Sequence, residues 1–522
     1  FVMIDPRHPL DRKQVMVADS DQIVGLTVGE VAELAELDWI VLDSADVELR
    51  LAGYNGAAVS DAELVRPAHV ADVAYLLYTS GSTGAPKGVS VASGGLASLC
   101  ADTIERLGLD HDSCVLHVSA PSFDATVLEL IMALPVGAEL AVADFDTFAG
   151  AQLEEFINEH QVTHTFLVPA LLDTLDPVRV PTLTTICVGG EALPPDVMRR
   201  WVSQDRRVVN IYGPTETTVW VTVDDPYSID DEITIGRPGT SVGALILDRG
   251  LRPLPLGVPG ELYISGDRLA EGYRDQPGLT AARFVAHPFL PRARMYRTGD
   301  PATLRADGRI EYHGRTDFQL KIRGQRIEPG ELDAALLSHP DVRNAVSLGV
   351  DGPSGEKVLV AYATLWPGAA VTGESLVAYV TDLLPVYLIP LTVKIVDEFA
   401  TTAVGKVDRS MLPPIDFTEV VGAFVAPRTQ LESVVADIFG QVLGVDRVSV
   451  HDSFFDLGGN SLSATKVVAR IGAVVDRQVP VRELFEHPTV ARLAEYVSGL
   501  MAGQAAPPLG PRTRAAVVPV SG

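Results

Sequence analysis

Over roughly the first 315 residues, short apolar runs of strand length alternate with patterns of helical period. Trp39–Leu42, Val73–Tyr78, Leu140–Ala143, Thr165–Val168, Thr185–Val188 and Val208–Tyr212 read as strands. Alternation of this kind predicts an α/β body with largely parallel sheets. Val2–Ile4 reads as a strand already in progress, so the chain is expected to be cut from something longer. Between about 232 and 312, short strands are separated by Gly and Pro, as in Gly260–Ser265, which predicts a small β-rich subdomain. Residues from about 318 to 410 mix strands and helices and predict a compact α+β unit. Beyond the Pro-containing stretch Leu412–Arg428, read as a linker, the pattern is helical only. Leu431, Val434, Val435, Ile438 and Val442 share one helix face. Ala464, Val467, Val468 and Ile471 repeat the spacing, as do Val490, Leu493, Ala494 and Val497. Three amphipathic helices predict a small bundle. The Ala- and Pro-rich tail from Ala502 reads as a disordered linker.

At 522 residues, with 47% apolar and 21% charged residues, the chain has room for two to four domains of an ordinary globular enzyme. Its 41 basic and 68 acidic residues give a net charge of −27, which excludes nucleic acid as a main partner. No apolar run is long enough for a membrane helix, and the N-terminus lacks the features of a signal peptide. Cys100, Cys114 and Cys187 match no metal or redox spacing, so a reducing, cytoplasmic setting with buried thiols is expected.

The sharpest chemical signal is Tyr78-Thr79-Ser80-Gly81-Ser82-Thr83-Gly84-Ala85-Pro86-Lys87-Gly88, directly after a predicted strand. Glycines let backbone N–H groups approach an anion, hydroxyls add donors, and Lys87 adds a mobile positive charge. The loop therefore reads as phosphate-binding, although Gly-Lys is not followed by Ser or Thr as in a Walker loop. Most Ser/Gly clusters are only flexible turns. Here the preceding strand and the closing Pro-Lys-Gly favour the phosphate reading.

Thr79–Gly88 resembles the phosphate loop of the adenylate-forming enzymes, among them acyl-CoA synthetases, luciferases and the adenylation domains of nonribosomal peptide synthetases. Further matches follow in the family's order: Asn210–Glu216, Gly260–Gly266, Tyr296–Asp300, Gly314–Asp317 and Gly405-Lys406. Lys321–Glu328 favours the peptide-synthetase branch. The resemblance implies a large adenylation part at 1–316, its start missing relative to the family, and a C-terminal lid at 317–411. A linker at 412–428, a carrier at 429–499 and a tail at 500–522 would follow. It also implies an ATP/AMP site at Thr79, Ser80, Gly81, Ser82, Thr83, Gly84, Lys87, Gly190, Asn210, Tyr212, Gly213, Thr215, Asp300 and Arg315. Within it Tyr212 would stack on adenine and Asp300 would accept the ribose hydroxyls. Glu216 would hold Mg²⁺, a task suited to a hard carboxylate. Lys406, on the mobile lid, would stabilise charge built up at the α-phosphate, and Asp317 would be the hinge. In the thiol-attack state the lid would instead present its Lys321–Glu328 face.

Phe454-Phe-Asp-Leu-Gly-Gly-Asn-Ser461-Leu resembles the attachment site of peptidyl carrier proteins. That implies 4′-phosphopantetheine on Ser461, although any Ser at a helix start also serves as a cap. Phe123-Asp124-Ala125 resembles the lining of the acid pocket, and Asp124 matches the carboxylate that pairs with a substrate α-ammonium. The same comparison adds Ala125, Leu128, Ala170, Cys187, Gly189, Ile211, Val219, Trp220 and Lys406. No other wall residue is charged, so a small neutral amino acid is expected, with glycine the closest pattern and small aliphatic side chains next. The implied partners are neighbouring synthetase domains of condensation type, a phosphopantetheinyl transferase and an MbtH-like helper. The competing readings are an acyl- or aryl-acid CoA ligase, disfavoured by Asp124 and the fused carrier, and an incomplete fragment acting only as carrier.

Overall fold

Strands Arg207–Tyr212, Thr185–Val188, His164–Leu167, Cys114–His117 and Glu139–Val142 lie side by side, all parallel. Thr222–Asp224 and Arg237–Pro238 extend this sheet antiparallel at one end, giving seven strands. The structure is a computed structural model. It describes residues 1–501 apart from 23, 30–36, 58, 61, 82–85, 144–148, 204, 225–230, 315–318, 323–324, 353–356, 401–406, 416–424, 446, 456, 458, 460, 476 and 478. Every residue of His164–Leu167 and Thr185–Val188 is buried, as expected where helices cover both faces of a parallel sheet. Helices Ser93–Leu107, Asp124–Ala133 and Gly150–Glu159 supply part of that cover. The phosphate-loop strand Val73–Thr79 pairs antiparallel with Lys87–Ala92, bringing Thr79 opposite Lys87. Val2–Ile4 is not a strand: only Val2 bridges, to Leu76.

The Gly/Pro-punctuated stretch forms a five-stranded antiparallel sheet built around Gly260–Gly266 and Arg294–Leu304. The α+β unit begins with the hairpin Leu320–Ile322/Gln325–Ile327 and helix Pro329–Leu337. Its three-stranded sheet pairs Val342–Asp351, Lys357–Leu365 and Val393–Ile395. Among the described residues the last region is a bundle of four helices, not three: Gln430–Leu443, Ser461–Val475, Val481–Glu486 and Val490–Met501. Thr429 and Glu432 form a reciprocal capping box at its start, and left-handed Gly444 ends the first helix. Leu412 and Ile415, read as linker, pack against Val358, Val360 and Tyr362 of the α+β unit.

The α+β unit is seated on the large body through a buried ion pair between Arg12, on helix Leu10–Ser20, and Glu331. Removing one partner of such a pair strands the other charge in an apolar setting. Arg12→Ala is therefore expected to weaken this seat by about 3–5 kcal/mol. The measurement is amide exchange, which should accelerate in helix Pro329–Leu337 before it does so in the parallel sheet.

Candidate active site

The cleft opens where the parallel strands end. Cys114–His117 leads to Asp124, Thr185–Val188 to Gly190, and Arg207–Tyr212 to Gly213 and Thr215, all lining one hollow. Crevices beyond the carboxyl ends of parallel strands are the usual binding places of α/β folds. Glu129, fully buried on the same helix as Asp124, accepts hydrogen bonds from the backbone N–H and Oγ of Ser119 and lies 2.6 Å from His117 Nδ1. These bonds tie the helix back to the loop and so fix the start of the helix, where Asp124 sits.

At one end of the cleft the buried Tyr212 hydroxyl donates to Asp300, whose backbone N–H is held by Thr298 Oγ1 at 3.0 Å. Beneath the cleft-lining Thr215 and Arg326, Glu216, 0% exposed, accepts from Tyr273 Oη at 2.7 Å and from Arg326 Nη1 at 2.6 Å. Burial alone would raise the Glu216 carboxyl, but Arg326 and Lys87 hold it well below the usual carboxylate range. Lys87 Nζ lies 4.0 Å from Glu216 and 3.8 Å from Glu328. Burial, helped by Arg326, pushes its ammonium down to about 8 against the pull of both carboxylates. Lys87 is thus a fixed, desolvated charge, not the mobile one expected from the loop.

The hairpin of the α+β unit enters the cleft. Lys321, Gln325 and Arg326 line it beside Tyr212 and Asp300, with Lys321 Nζ 5.5 Å from the Tyr212 ring centre. Ser80 Oγ donates to the Arg326 carbonyl at 2.7 Å and accepts from the Glu328 N–H at 3.1 Å. Arg326 and Glu328 are therefore turned to the phosphate loop. Both Glu216 oxygens are engaged by side chains, so a divalent cation fits this carboxylate only once Arg326 has withdrawn. Among the described residues no cluster of three or more His, Cys, Asp and Glu could hold a metal on its own.

Asp124 faces the same cleft from the other side, half-buried near Phe123 and Tyr387. Burial raises its carboxyl to about 6, while a hydrogen bond from Thr215 opposes the shift. Behind it Leu128, Cys187, Ile211, Val219 and Trp220 belong to one buried apolar cluster, with Ala125 packed against it. Gly189 allows close approach of this wall, since a Cβ there would fall 2.8 Å from the Ile211 carbonyl. Ala170, half-buried on helix Pro169–Leu172, is not part of the cluster.

Of the expected nucleotide residues, Thr79, Ser80, Gly190, Tyr212, Gly213, Thr215 and Asp300 converge on the cleft. Gly81 is buried next to them in the loop. Asn210 is turned elsewhere: its buried amide donates to the Thr234 carbonyl at 2.7 Å. Ser82, Thr83, Gly84, Arg315, Asp317 and Lys406 lie outside the described residues. Ser461 is the first residue of helix Ser461–Val475. Tyr273 and Tyr387 were not expected, and no local pattern marks them. Arg326 lies inside a quoted motif, but its pairing with Glu216 spans 110 positions and has no local signal.

Residues 1–274 match the AMP-binding enzyme family, 331–406 the AMP-binding enzyme C-terminal domain and 433–497 the phosphopantetheine attachment site. The chain belongs to the AMP-binding enzymes. Its order of domains, adenylation then carrier, is that of nonribosomal peptide synthetases. A component of the linear gramicidin synthase of Brevibacillus parabrevis is 39% identical over all of this chain, which spans only 7% of that protein's length. Novobiocin biosynthesis protein H of Streptomyces niveus is 38% identical across 95% of this chain and 83% of its own. A solved structure of holo-PA1221, an NRPS protein containing adenylation and PCP domains, shares the fold. Its TM-score is 0.71 at 24% identity, covering 93% of this chain and 91% of that one. Among the described residues of this adenylation–carrier pair, no helix is long and apolar enough to cross a membrane.

Proposed function

We propose that this chain activates a small neutral amino acid with ATP and passes it, as a thioester, to 4′-phosphopantetheine on Ser461. The observation that carries the amino-acid reading is Asp124. It is a half-buried carboxylate at a helix start, opening on the cleft beside Gly213 and Thr215. An α-ammonium placed there would return the charge balance that burial disturbs. The substrate carboxylate would then attack the α-phosphorus of ATP, forming the mixed anhydride and expelling pyrophosphate. Tyr212 and Asp300 would hold the nucleoside, Thr79 to Gly84 the phosphates, and Lys406 the developing charge. Mg²⁺ bound at Glu216 would offset phosphate charge in that first step. Asp317 would be the hinge, and the present seating of Lys321–Glu328 in the cleft supports assignment of this arrangement to the second step. There the thiol of the arm would attack the acyl carbon and AMP would leave. Ser461 suits an arm bearing a phosphodiester, because helix N-termini favour anions.

Glycine is the preferred candidate within this reading, supported by the close packing behind Asp124, where Leu128 is 0% and Trp220 2% exposed and little room is left for a side chain. The proposed partners are condensation-type neighbours, a phosphopantetheinyl transferase and an MbtH-like helper. The test is exchange of labelled pyrophosphate into ATP across a panel of amino acids and aryl acids. Exchange with glycine or another small neutral amino acid is expected. Exchange with aryl or fatty acids alone would overturn the amino-acid reading.

The Asp124 carboxyl also sets a pH dependence. It is ionised above about 6, so pairing with the α-ammonium is available at neutral pH and lost as pH falls through that value. Below it kcat/KM for the amino acid should fall about tenfold per pH unit, the slope for one essential ionisation on the free enzyme. Asp124→Asn should lower kcat/KM and remove that limb of the profile. The same raised value means the substrate-free protein loses stability from this group as pH rises through about 6.

A further inference from the structure

Immediately behind the cleft floor, the chain takes an unfavourable path. Thr218 and Val219 are consecutive β-branched residues with φ of 57° and 66°, in the left-handed region that side chains of this shape avoid. The segment presses on the cleft-lining Gly213, where a Cβ would fall 2.4 Å from the Val219 carbonyl and 2.5 Å from Trp220 Cα. Such backbone persists only where its surroundings over-determine it. Those surroundings centre on Arg268, a guanidinium 1% exposed.

Arg268 holds Trp220 in two ways. Its Nη1 donates to the Trp220 carbonyl at 3.1 Å, and its guanidinium lies 4.6 Å over the indole ring. Its own carbonyl accepts from Thr218 Oγ1 at 2.7 Å. The guanidinium is fixed in turn by the buried Asp102 carboxylate and by the Ser98 carbonyl at 3.0 Å. Asp102 also accepts from the Thr240 N–H at 2.7 Å, and Trp220 Nε1 donates to Thr103 Oγ1 at 3.2 Å. Ser98, Asp102 and Thr103 all lie on helix Ser93–Leu107. Trp220 is therefore gripped at its backbone carbonyl, its ring face and its ring N–H, and it shares an apolar cluster with Leu128 and Ile211.

From this geometry we infer that Arg268 is a positioning residue for substrate selection. By clamping Trp220 against helix Ser93–Leu107 it sets the depth of the acid pocket behind Asp124 and Gly213, and so the size of side chain accepted. This rests on the amino-acid reading given above. A lysine could keep the charge beside Asp102, but it lacks the planar fork that serves Asp102, Ser98 and Trp220 together. A pocket that no longer holds its wall loses discrimination between side chains differing by a methylene or two, which is worth about 10–200-fold.

The experiment compares the wild type with Arg268→Lys in pyrophosphate exchange over glycine, alanine, serine and valine. The expected result is a fall of about tenfold or more in the preference for the smallest accepted acid. The KM for ATP and the kcat for that acid should stay within about twofold, a split that general loss of structure would not give. Acrylamide quenching of Trp220, read as the difference from Trp220→Phe, reports the clamp without substrate and should increase in the variant. Unchanged preference together with unchanged quenching would overturn the inference. If Arg268→Lys does not fold, Thr103→Val removes the indole's acceptor together with the Thr103 Oγ1 bond to the Leu99 carbonyl within the helix; it should shift both readouts in the same direction, and failure to shift either overturns the clamp. Absence of exchange in the wild type with every amino acid would instead overturn the functional reading, leaving the quenching result to decide the clamp alone.

Discussion

Lys406→Ala is expected to lower amino-acid-dependent pyrophosphate exchange by about a hundredfold or more, the scale for losing one preorganised stabiliser of transition-state charge. The first step brings a carboxylate to a polyphosphate, so two anions must meet and negative charge grows on the α-phosphoryl oxygens. A positioned ammonium interacts more strongly with that charge than with either reactant, which is what lowers a barrier. Two described cations around Glu216 are already committed. Lys87 lies between Glu216 and Glu328, and Arg326 is paired with Glu216. Transfer from a preformed aminoacyl adenylate to the carrier should survive in the same variant, because Lys321, Gln325 and Arg326 are the residues of this unit that now line the cleft. Near-normal exchange in Lys406→Ala would remove the lysine from the first step. Loss of both half-reactions would mean that the substitution disturbs the lid as a whole.

How much of this could be read from the sequence depended on range. Thr185–Val188 was placed to the residue, and Val208–Tyr212 within one, because buried parallel strands are short apolar runs with sharp ends. Val490, Leu493, Ala494 and Val497 all proved buried, as their spacing required. Helix Val481–Glu486 has no signature in the sequence, because six residues hold too little of a helical repeat to show one. In the first bundle helix the apolar stripe is turned slightly: Phe439 and Leu443 are buried where Leu431 and Val442 are only partly so. The motifs located the cleft because each follows its own strand. What they could not supply was partnership across distance. Lys87 reads locally as a phosphate-loop cation, and only the fold brings Glu216 and Glu328 to it. Arg268 reads as one more arginine in a Gly-rich turn, and only the fold puts it against Asp102, 166 positions away.

Ser461→Ala should leave pyrophosphate exchange within about twofold of wild type and abolish covalent loading of the chain, a split that follows from where the two chemistries lie. The cleft is built from the large body and the lid, whereas Ser461 opens a helix of the carrier. That helix packs on Gly150–Glu159 and places Lys466 Nζ 3.6 Å from Asp173, a carboxylate already paired with Arg200 at 2.5 Å. All three of these side chains are more than a third exposed, so the ion pairs contribute at most about 1 kcal/mol each. These ion pairs therefore add little to the packing of that helix on Gly150–Glu159. None of these ion pairs involves Ser461, and no residue around Glu216 or Asp124 belongs to its helix. Incubation with a phosphopantetheinyl transferase, coenzyme A, ATP and the preferred amino acid, followed by intact mass measurement, separates the outcomes. The wild type should gain the arm and then the acyl group, and the variant neither. An acyl group on the variant would show that another nucleophile accepts the product of the first step, and the assignment of Ser461 would fall.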